Sequence, residues 1–333
     1  MGKMFIILLK FLKLAMNLTV QESAAFIAAN SSHVVVNTEN IGQLALKWKD
    51  LDWTASKCFS DWHREPHPIH LKDKDLLHYI LLLDTLNFSF YADPNTIPYT
   101  VNNKTGYWSL CMALNRALDN GIDILTISKW DEIEWRSVFE SDTTTPIPLL
   151  NERISNIKAT ASTINQFYNG DFSLVLKDCN GQSQILIHKL AKLIPHFDDS
   201  ANYKGKKVFI MKRAQILVAD IWAAFRGEGY GEFTDINKIT MFADYRVPQA
   251  LASLGMIVYD EYTLEALKSE LPSQSALEIE IRGNSIHSVE LLKEELNKMG
   301  IKANAIMLDF YLWKYAKDRT LEIPIHRTRC IYY

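Results

Sequence analysis

A mainly α fold with a small accessory β element is predicted for this chain, and three observations predict it. Apolar residues recur at spacings of three and four through most of the sequence, as along the buried face of a helix. Helix start and stop signals bracket those runs. Segments with strand character are short and few.

The elements follow in order. "TVQESAAFIAANSS" opens with Thr19 and Glu22 spaced as a capping box, so a helix starts there. "HVVVNT" is β-branched and reads as a strand. "DKDLLHYILLLDTL" is a strongly apolar helix, and "YTVNN" a second short strand. "YWSLCMALNRALDNG" sets Leu110, Leu114, Ala117 and Leu118 on one face, with Gly121 placed as its stop. "IPLLNERISNIKATASTINQFYNG" also ends at a glycine. "KRAQILVADIWAAFRGEGYG" carries Ala214, Leu217, Val218, Ile221, Trp222 and Phe225 at helical spacing and closes in a glycine-rich loop. In "ITMFADYRVPQAL", Pro248 has no amide hydrogen and belongs in a first turn, which starts a helix near Tyr245 to Val247. "ALEIEIRG" alternates apolar and charged residues and is predicted as a strand. "SIHSVELLKEELNKMG" and "NAIMLDFYLWKYAKD" complete the helical set. With no internal repeat or linker, residues 1–16 read as an extension outside the fold. Residues 17–333 read as a single catalytic domain, with room for two helical lobes around a cleft.

Composition narrows the function. Hydrophobic residues make up 48% and charged residues 23% of 333, with 8 Trp, 14 Tyr and 15 Phe, so the chain folds and can stack a flat heterocycle. A formal net charge of -3 argues against a broad basic stripe, and hence against duplex nucleic acid as a partner. The 4 cysteines form no CxxC pair, which indicates neither a zinc site nor a disulfide framework and fits a reducing cytoplasm. In the opening "MGKMFIILLKFLKLAMNLT", Lys10 and Lys13 interrupt an apolar run too short to span a bilayer. No membrane association is expected from it; it reads as an amphipathic extension or a start displaced from Met16.

No Walker loop, dinucleotide fingerprint, HExxH or GxSxG occurs, and no cofactor is expected. The candidates are polar residues in apolar or aromatic surroundings, where a buried charge needs a partner or a task. Asp84 interrupts "LLLDTLNFSFY"; it either caps a helix or accepts hydrogen bonds from a purine-like edge. "WHREPHPIH" gathers His63, His67 and His70, but its prolines break any helix that would align them, so no metal is expected. One of the three is a candidate ligand contact, a surface loop being the plain alternative. Asp309 sits inside the aromatic helix "IMLDFYLWKYAKDR", with Trp313 one turn along on the same face. Asp244, before the Pro248 helix, is either a cap or an anion held beside the positive end of the helix dipole for chemistry.

Taken together, "DTLNFSFY", "GYWSLCMALNRALDNGI", "KRAQILVADIWAAF", "DINKITMFADYRVPQAL", "IEIRG", "LDFYLWKYA" and "HRTRCIYY" resemble the queuosine salvage protein family, the queuosine 5'-phosphate N-glycosylases. The resemblance runs in order from about Leu18 to Tyr333. It implies a DNA-glycosylase-like helical fold that hydrolyses queuosine 5'-monophosphate and releases queuine for salvage into tRNA modification. From Lys212 to Leu251 the order helix, loop, aspartate, helix is also similar to the helix-hairpin-helix DNA glycosylases. That likeness implies Asp244 as the catalytic aspartate and Lys212 as the lysine, while the salvage-family resemblance implies His63, Phe242 and Asp309 at the base pocket. "FIMKRAQ" lacks the glycine-rich hairpin that grips a DNA phosphate, which favours a free nucleotide. Tyr245 and Arg246 are candidates for phosphate contact, with a structural ion pair as the alternative, and Phe242 or Trp108 for stacking. A non-catalytic carrier of a modified nucleoside and a DNA-repair glycosylase are the competing functions.

Overall fold

The computed structural model describes residues 18–333, so the extension expected over residues 1–16 lies outside the described residues. Within them lie fourteen α-helices and three two-stranded antiparallel sheets, a mainly α architecture. None of these helices is long and apolar enough to cross a membrane.

α1 (Val20–Asn30) starts at the capping box: Thr19 Oγ1 accepts from the Glu22 amide at 3.1 Å, and the Glu22 carboxylate from the Thr19 amide at 2.7 Å. β1 (Val34–Val36), α2 (Thr38–Trp48) and α3 (Ala55–Trp62) follow. α4 (Asp73–Thr85) runs through the interior, buried at every residue from Leu76 to Thr85. A hairpin of β2 (Thr100–Val101) and β3 (Lys104–Thr105) leads into α5 (Tyr107–Asp119). Next come α6 (Trp135–Val138), α7 (Leu150–Tyr168), α8 (Phe172–Lys177) and α9 (Ser183–Leu193). A second hairpin, β4 (Ser200–Tyr203) and β5 (Lys206–Phe209), turns through Lys204 and Gly205, both at positive φ, and delivers the chain to α10 (Lys212–Ala224). α11 (Arg246–Ser253), β6 (Ile257–Tyr259), α12 (Glu261–Ala266), α13 (Ala276–Lys298) and α14 (Ala305–Lys317) complete the chain. β6 pairs with β1, Val34 opposite Tyr259, and so joins distant parts of the sequence.

One cluster of buried apolar side chains draws on elements from α1 to α14. α13 packs on α1, α2, α11 and α14, while α4 packs on α10, α7 and α8. The predicted strand "ALEIEIRG" is instead the beginning of α13. Its period-two pattern predicted one wet face, but Glu278, Glu280 and Arg282 are all buried. Glu280 accepts from the amides of Ser32 (3.0 Å) and His33 (2.8 Å) and from the Tyr203 hydroxyl (2.9 Å). With these charges paired or hydrogen-bonded internally, both faces of the segment are core, and Ser275 Oγ caps it as a helix by accepting from the Glu278 amide.

The chain leaving α4 is irregular yet buried through Ser89, which demands partners for its carbonyls. Two buried arginines supply them. Arg153 donates to the carbonyls of Leu86 and Phe88, and Arg213 to that of Thr85 at 2.6 Å. Their guanidinium carbons lie 4.3 and 5.0 Å from the centre of the Phe88 ring. A cation at a helix C-terminus also complements the helix dipole.

The α13–α1 contact is close at Gly283, where an added Cβ would sit 2.5 Å from Ile27 Cγ2 and 2.6 Å from its Cδ1. Gly283→Ala is expected to destabilise the fold by about 1–3 kcal/mol despite alanine's better helix propensity. A denaturant midpoint equal to or above that of the wild type would contradict this packing.

Candidate active site

A cavity of about 390 Å³ opens where four parts of the chain meet. α10 turns Lys212, Ile216 and Asp220 toward it, spaced by one helical turn each, and α14 contributes Asp309, Trp313 and Lys317 in the same way. The segment ahead of α11 adds Phe242, Asp244, Tyr245 and Arg246; the chain after α4 adds Asn87, Phe88 and Phe90. Trp62, His67, Tyr107, Trp108 and Tyr333 fill in the aromatic wall. Trp108 and Trp313 meet edge to face with ring centres 5.8 Å apart.

Asp244 reads as both cap and site residue. Its Oδ1 accepts from the amides of Arg246 (2.7 Å) and Val247 (2.9 Å) at the mouth of α11, where Pro248 occupies the first turn as predicted. Its Oδ2 has no hydrogen-bond partner among the described residues, on a half-buried side chain that lines the cavity. Withdrawal from water raises the Asp244 pKa, while Lys212 and then the two amides pull it back toward the charged form. Lys212 is 4% exposed, and its Nζ donates to the Asn87 carbonyl (3.1 Å) and Oδ1 (3.3 Å). Burial lowers its pKa; among the neighbouring acids, Asp244 opposes that most strongly.

Asp309, 4% exposed, accepts from the Phe242 amide at 2.8 Å. Burial drives its pKa well up, and the Asp244 charge adds to the shift, so the proton-bearing form is favoured. Asp220 is equally buried on the facing wall and its pKa is likewise well raised, by burial first and Asp84 second. Among the described residues no group of three or more His, Cys, Asp and Glu is placed to hold a metal ion.

Two candidates lie elsewhere than expected. His63 is not among the lining residues: at the cap position just after α3 it turns back, Nδ1 donating to the Phe59 carbonyl at 2.7 Å. His67 faces the cavity instead, stacked on Trp62 with ring centres 4.5 Å apart. The Trp62 carbonyl can only accept, so His67 Nδ1 carries the proton (2.6 Å) and Nε2 accepts from the Tyr107 hydroxyl (2.9 Å). Burial pushes this imidazole down to about 4, and it is neutral at physiological pH. Asp84 is fully buried behind the wall, where its Oδ1 accepts from Asn87 Nδ2 at 3.0 Å. It reaches the cavity only through Asn87. Phe242, Tyr245, Arg246, Asp309 and Trp313 all line the cavity.

Asp220 was not anticipated, although the signal was present: "VADIWAAF" sets an acid in a helix apolar on every side, as around Asp309. Asn87 follows Asp84 too closely to be told apart from it by type alone.

The geometry defines a class of protein: a helical fold whose aromatic chamber, of small-molecule size, holds one half-satisfied carboxylate and two buried carboxyls whose pKa values burial raises, suited to a flat, hydrogen-bonding heterocycle. The family model described as queuosine salvage protein matches residues 67–333, and the chain belongs to that family. It is 40% identical to the queuosine 5'-phosphate N-glycosylase/hydrolase of Schizosaccharomyces pombe, covering 94% of this chain and 99% of that one. It is 37% identical to the protein of that name from Mus musculus (95% and 99% covered) and 36% to that from Sphaerobacter thermophilus (82% and 85%).

The Asp84 carboxyl, raised by burial to about 7, generates a test of the buried wall. Its folded pKa exceeds the unfolded one, so the native state binds more protons between about pH 4 and 7 and loses stability as pH rises through that window. Asp84→Asn removes this dependence and keeps an acceptor for Asn87. The stability of the variant relative to wild type is expected to improve from pH 5 to pH 7.5 in urea titrations; a constant difference would refute the assignment.

Proposed function

We propose that this chain hydrolyses the N-glycosidic bond of queuosine 5'-phosphate and releases queuine. The observation that carries the reading is Asp244, with one oxygen locked by two amides and the other turned loose on the cavity wall. As the C1'–N bond breaks, its electron pair leaves with the base and positive charge builds on the ribose. A carboxylate about 3.5 Å away stabilises that charge by about 4 to 5 kcal/mol at an effective dielectric near 20, or roughly three powers of ten in rate. The same placement serves direct attack on C1' or shielding of a cation that water then captures. In either case water supplies the oxygen that ends on C1', and the base takes up a proton. Asp309 and Asp220, both held toward their protonated forms, are the donors facing the departing base. Phe242, Trp108 and Trp313 offer faces and edges to the ring.

Cations gather on the phosphate side. Lys314 is paired with Asp318 at 2.9 Å, and Arg64 lies 3.7 Å from Asp61. Arg246 donates to Gln249 Oε1 at 3.2 Å and lies 5.8 Å from the centre of the Tyr245 ring, and among the described residues neither it nor Lys317 has an acid within ion-pair distance. Partial desolvation and then Arg246 lower the Lys317 pKa, with the Asp318 carboxylate opposing them. Arg246 and Lys317 are assigned the 5'-phosphate. The reading takes residues 17–333 as one catalytic domain, supported by the continuous apolar cluster. It places the chain in a reducing cytoplasm, which four free, buried cysteines favour. A free nucleotide rather than duplex nucleic acid is the substrate, favoured by the net charge of -3.

Asp244→Asn is expected to fold and to lose about 10³-fold or more in queuine release, followed by chromatography. Binding without release in the wild type would favour a carrier. The acid limb of kcat is expected above the ordinary aspartate range, activity falling as pH drops through the raised Asp244 pKa. Lys212→Met, which removes the strongest opposing charge, moves that limb to still higher pH. Lys317→Ala is expected to raise KM for the 5'-phosphate and to leave that for the dephosphorylated nucleoside unchanged; equal effects on both would remove Lys317 from the phosphate.

A further inference from the structure

Lys212 and Asp244 stand at the starts of two different helices and are not in direct ion-pair contact; Lys212 Nζ is turned to Asn87. Something else must set their relative positions. The chain enters α10 through Met211 at φ 55, a left-handed conformation costly for a residue with a side chain. Asp199 holds that entry. Its backbone carbonyl accepts from the amides of Ile210 (3.0 Å) and Met211 (3.3 Å), and its Oδ2 accepts from the Lys212 amide (3.1 Å). Three successive amides thus converge on one residue.

Arg282, 2% exposed, carries the link onward. Its Nη2 and Nη1 grip the Asp199 carboxylate at 2.6 and 3.1 Å, and Nη1 also meets Glu278 at 3.1 Å. Its Nε donates to the Ala243 carbonyl at 2.8 Å, an oxygen on the very peptide plane whose nitrogen is that of Asp244. The guanidinium lies 4.1 Å from the centre of the Tyr333 ring, which lines the cavity. One planar cation is therefore bonded to the entry of Lys212, through Asp199, and to the peptide of Asp244. A lysine cannot span both.

The structure assigns Asp199 and Arg282 as positioning residues that hold Lys212 and Asp244 in register, an inference that rests on the glycosidase reading above. Neither touches substrate; each acts through the peptide it fixes. A buried ion pair of purely structural importance would affect melting and leave the chemistry of the folded molecule alone. Misplacement of a reacting group by about 1 Å costs about 10²-fold in rate.

The test uses Arg282→Lys and Asp199→Asn in the full chain, with queuosine 5'-phosphate as substrate and thermal melting to establish the folded fraction. Expected for Arg282→Lys are a fall of about 10²-fold in kcat per folded molecule, a KM close to wild type and a displaced acid limb of the kcat profile. Asp199→Asn retains an acceptor for the Lys212 amide and loses the charged fork, so a smaller loss of the same kind is expected; it decides the matter if Arg282→Lys does not fold. Unchanged kcat and acid limb with lowered melting, or a rise in KM alone, would overturn the assignment. Absence of release by the wild type in the same assay would sink the glycosidase reading and this inference with it, whereas wild-type release with unaltered variants sinks the inference alone.

Discussion

Buried charge is the constraint on which this molecule is built. An ion withdrawn from water must be paired or hydrogen-bonded, and breaking such a pair costs about 3–5 kcal/mol, so each buried ion here fastens distant segments to one another. Arg282 joins α13 to Asp199 and to the peptide before Asp244. Arg153 and Arg213 secure the chain leaving α4, and Glu280 ties α13 to the residues after α1. The cavity, with Asp84 behind its wall, departs from this. There Asp244 Oδ2 has no protein partner among the described residues, and burial holds the pKa values of Asp309 and Asp220 high. Incomplete pairing of this kind is completed by water, a ligand or a proton.

On the glycosidase reading proposed above, the dual use of Asp244 follows from a difference in magnitude. A helix cap contributes about 1 kcal/mol, and one carboxylate oxygen suffices for it. Stabilising a cationic sugar is worth several times more and needs the other oxygen. Because the capping amides fix the carboxylate, its second oxygen is aimed without further help, and the helix that receives the cap orients the chemistry. Cap and site residue are the same object seen from two sides.

Much of the helical frame was legible because burial of one face writes a period into the sequence, as in the helices at Tyr107, Lys212 and Ala305. "ALEIEIRG" misled for an identifiable reason: alternation signals a strand only when its polar residues are wet, and here their partners lie elsewhere in the chain. The hairpin at Lys204–Gly205 carries no Asn-Gly or Asp-Gly signal to announce it. Within the site, acids lodged in apolar helices could be read locally, which covers Asp309 and would have covered Asp220. His67 could not be separated from His63 by composition, since the choice is made by which carbonyl each ring meets. Asp199 and Arg282 leave no local trace, because what pairs them is the folded chain.

The arginines beneath the chain leaving α4 have one more effect. Asn87, Phe88 and Phe90 belong to no helix or strand, yet two guanidinium groups hold the carbonyls of Thr85, Leu86 and Phe88. A wall pinned in that manner resists displacement. On the reading proposed above, discrimination at this face is by exclusion: a heterocycle carrying extra bulk toward Phe88 is turned away by rigid masonry, rather than admitted and held less tightly.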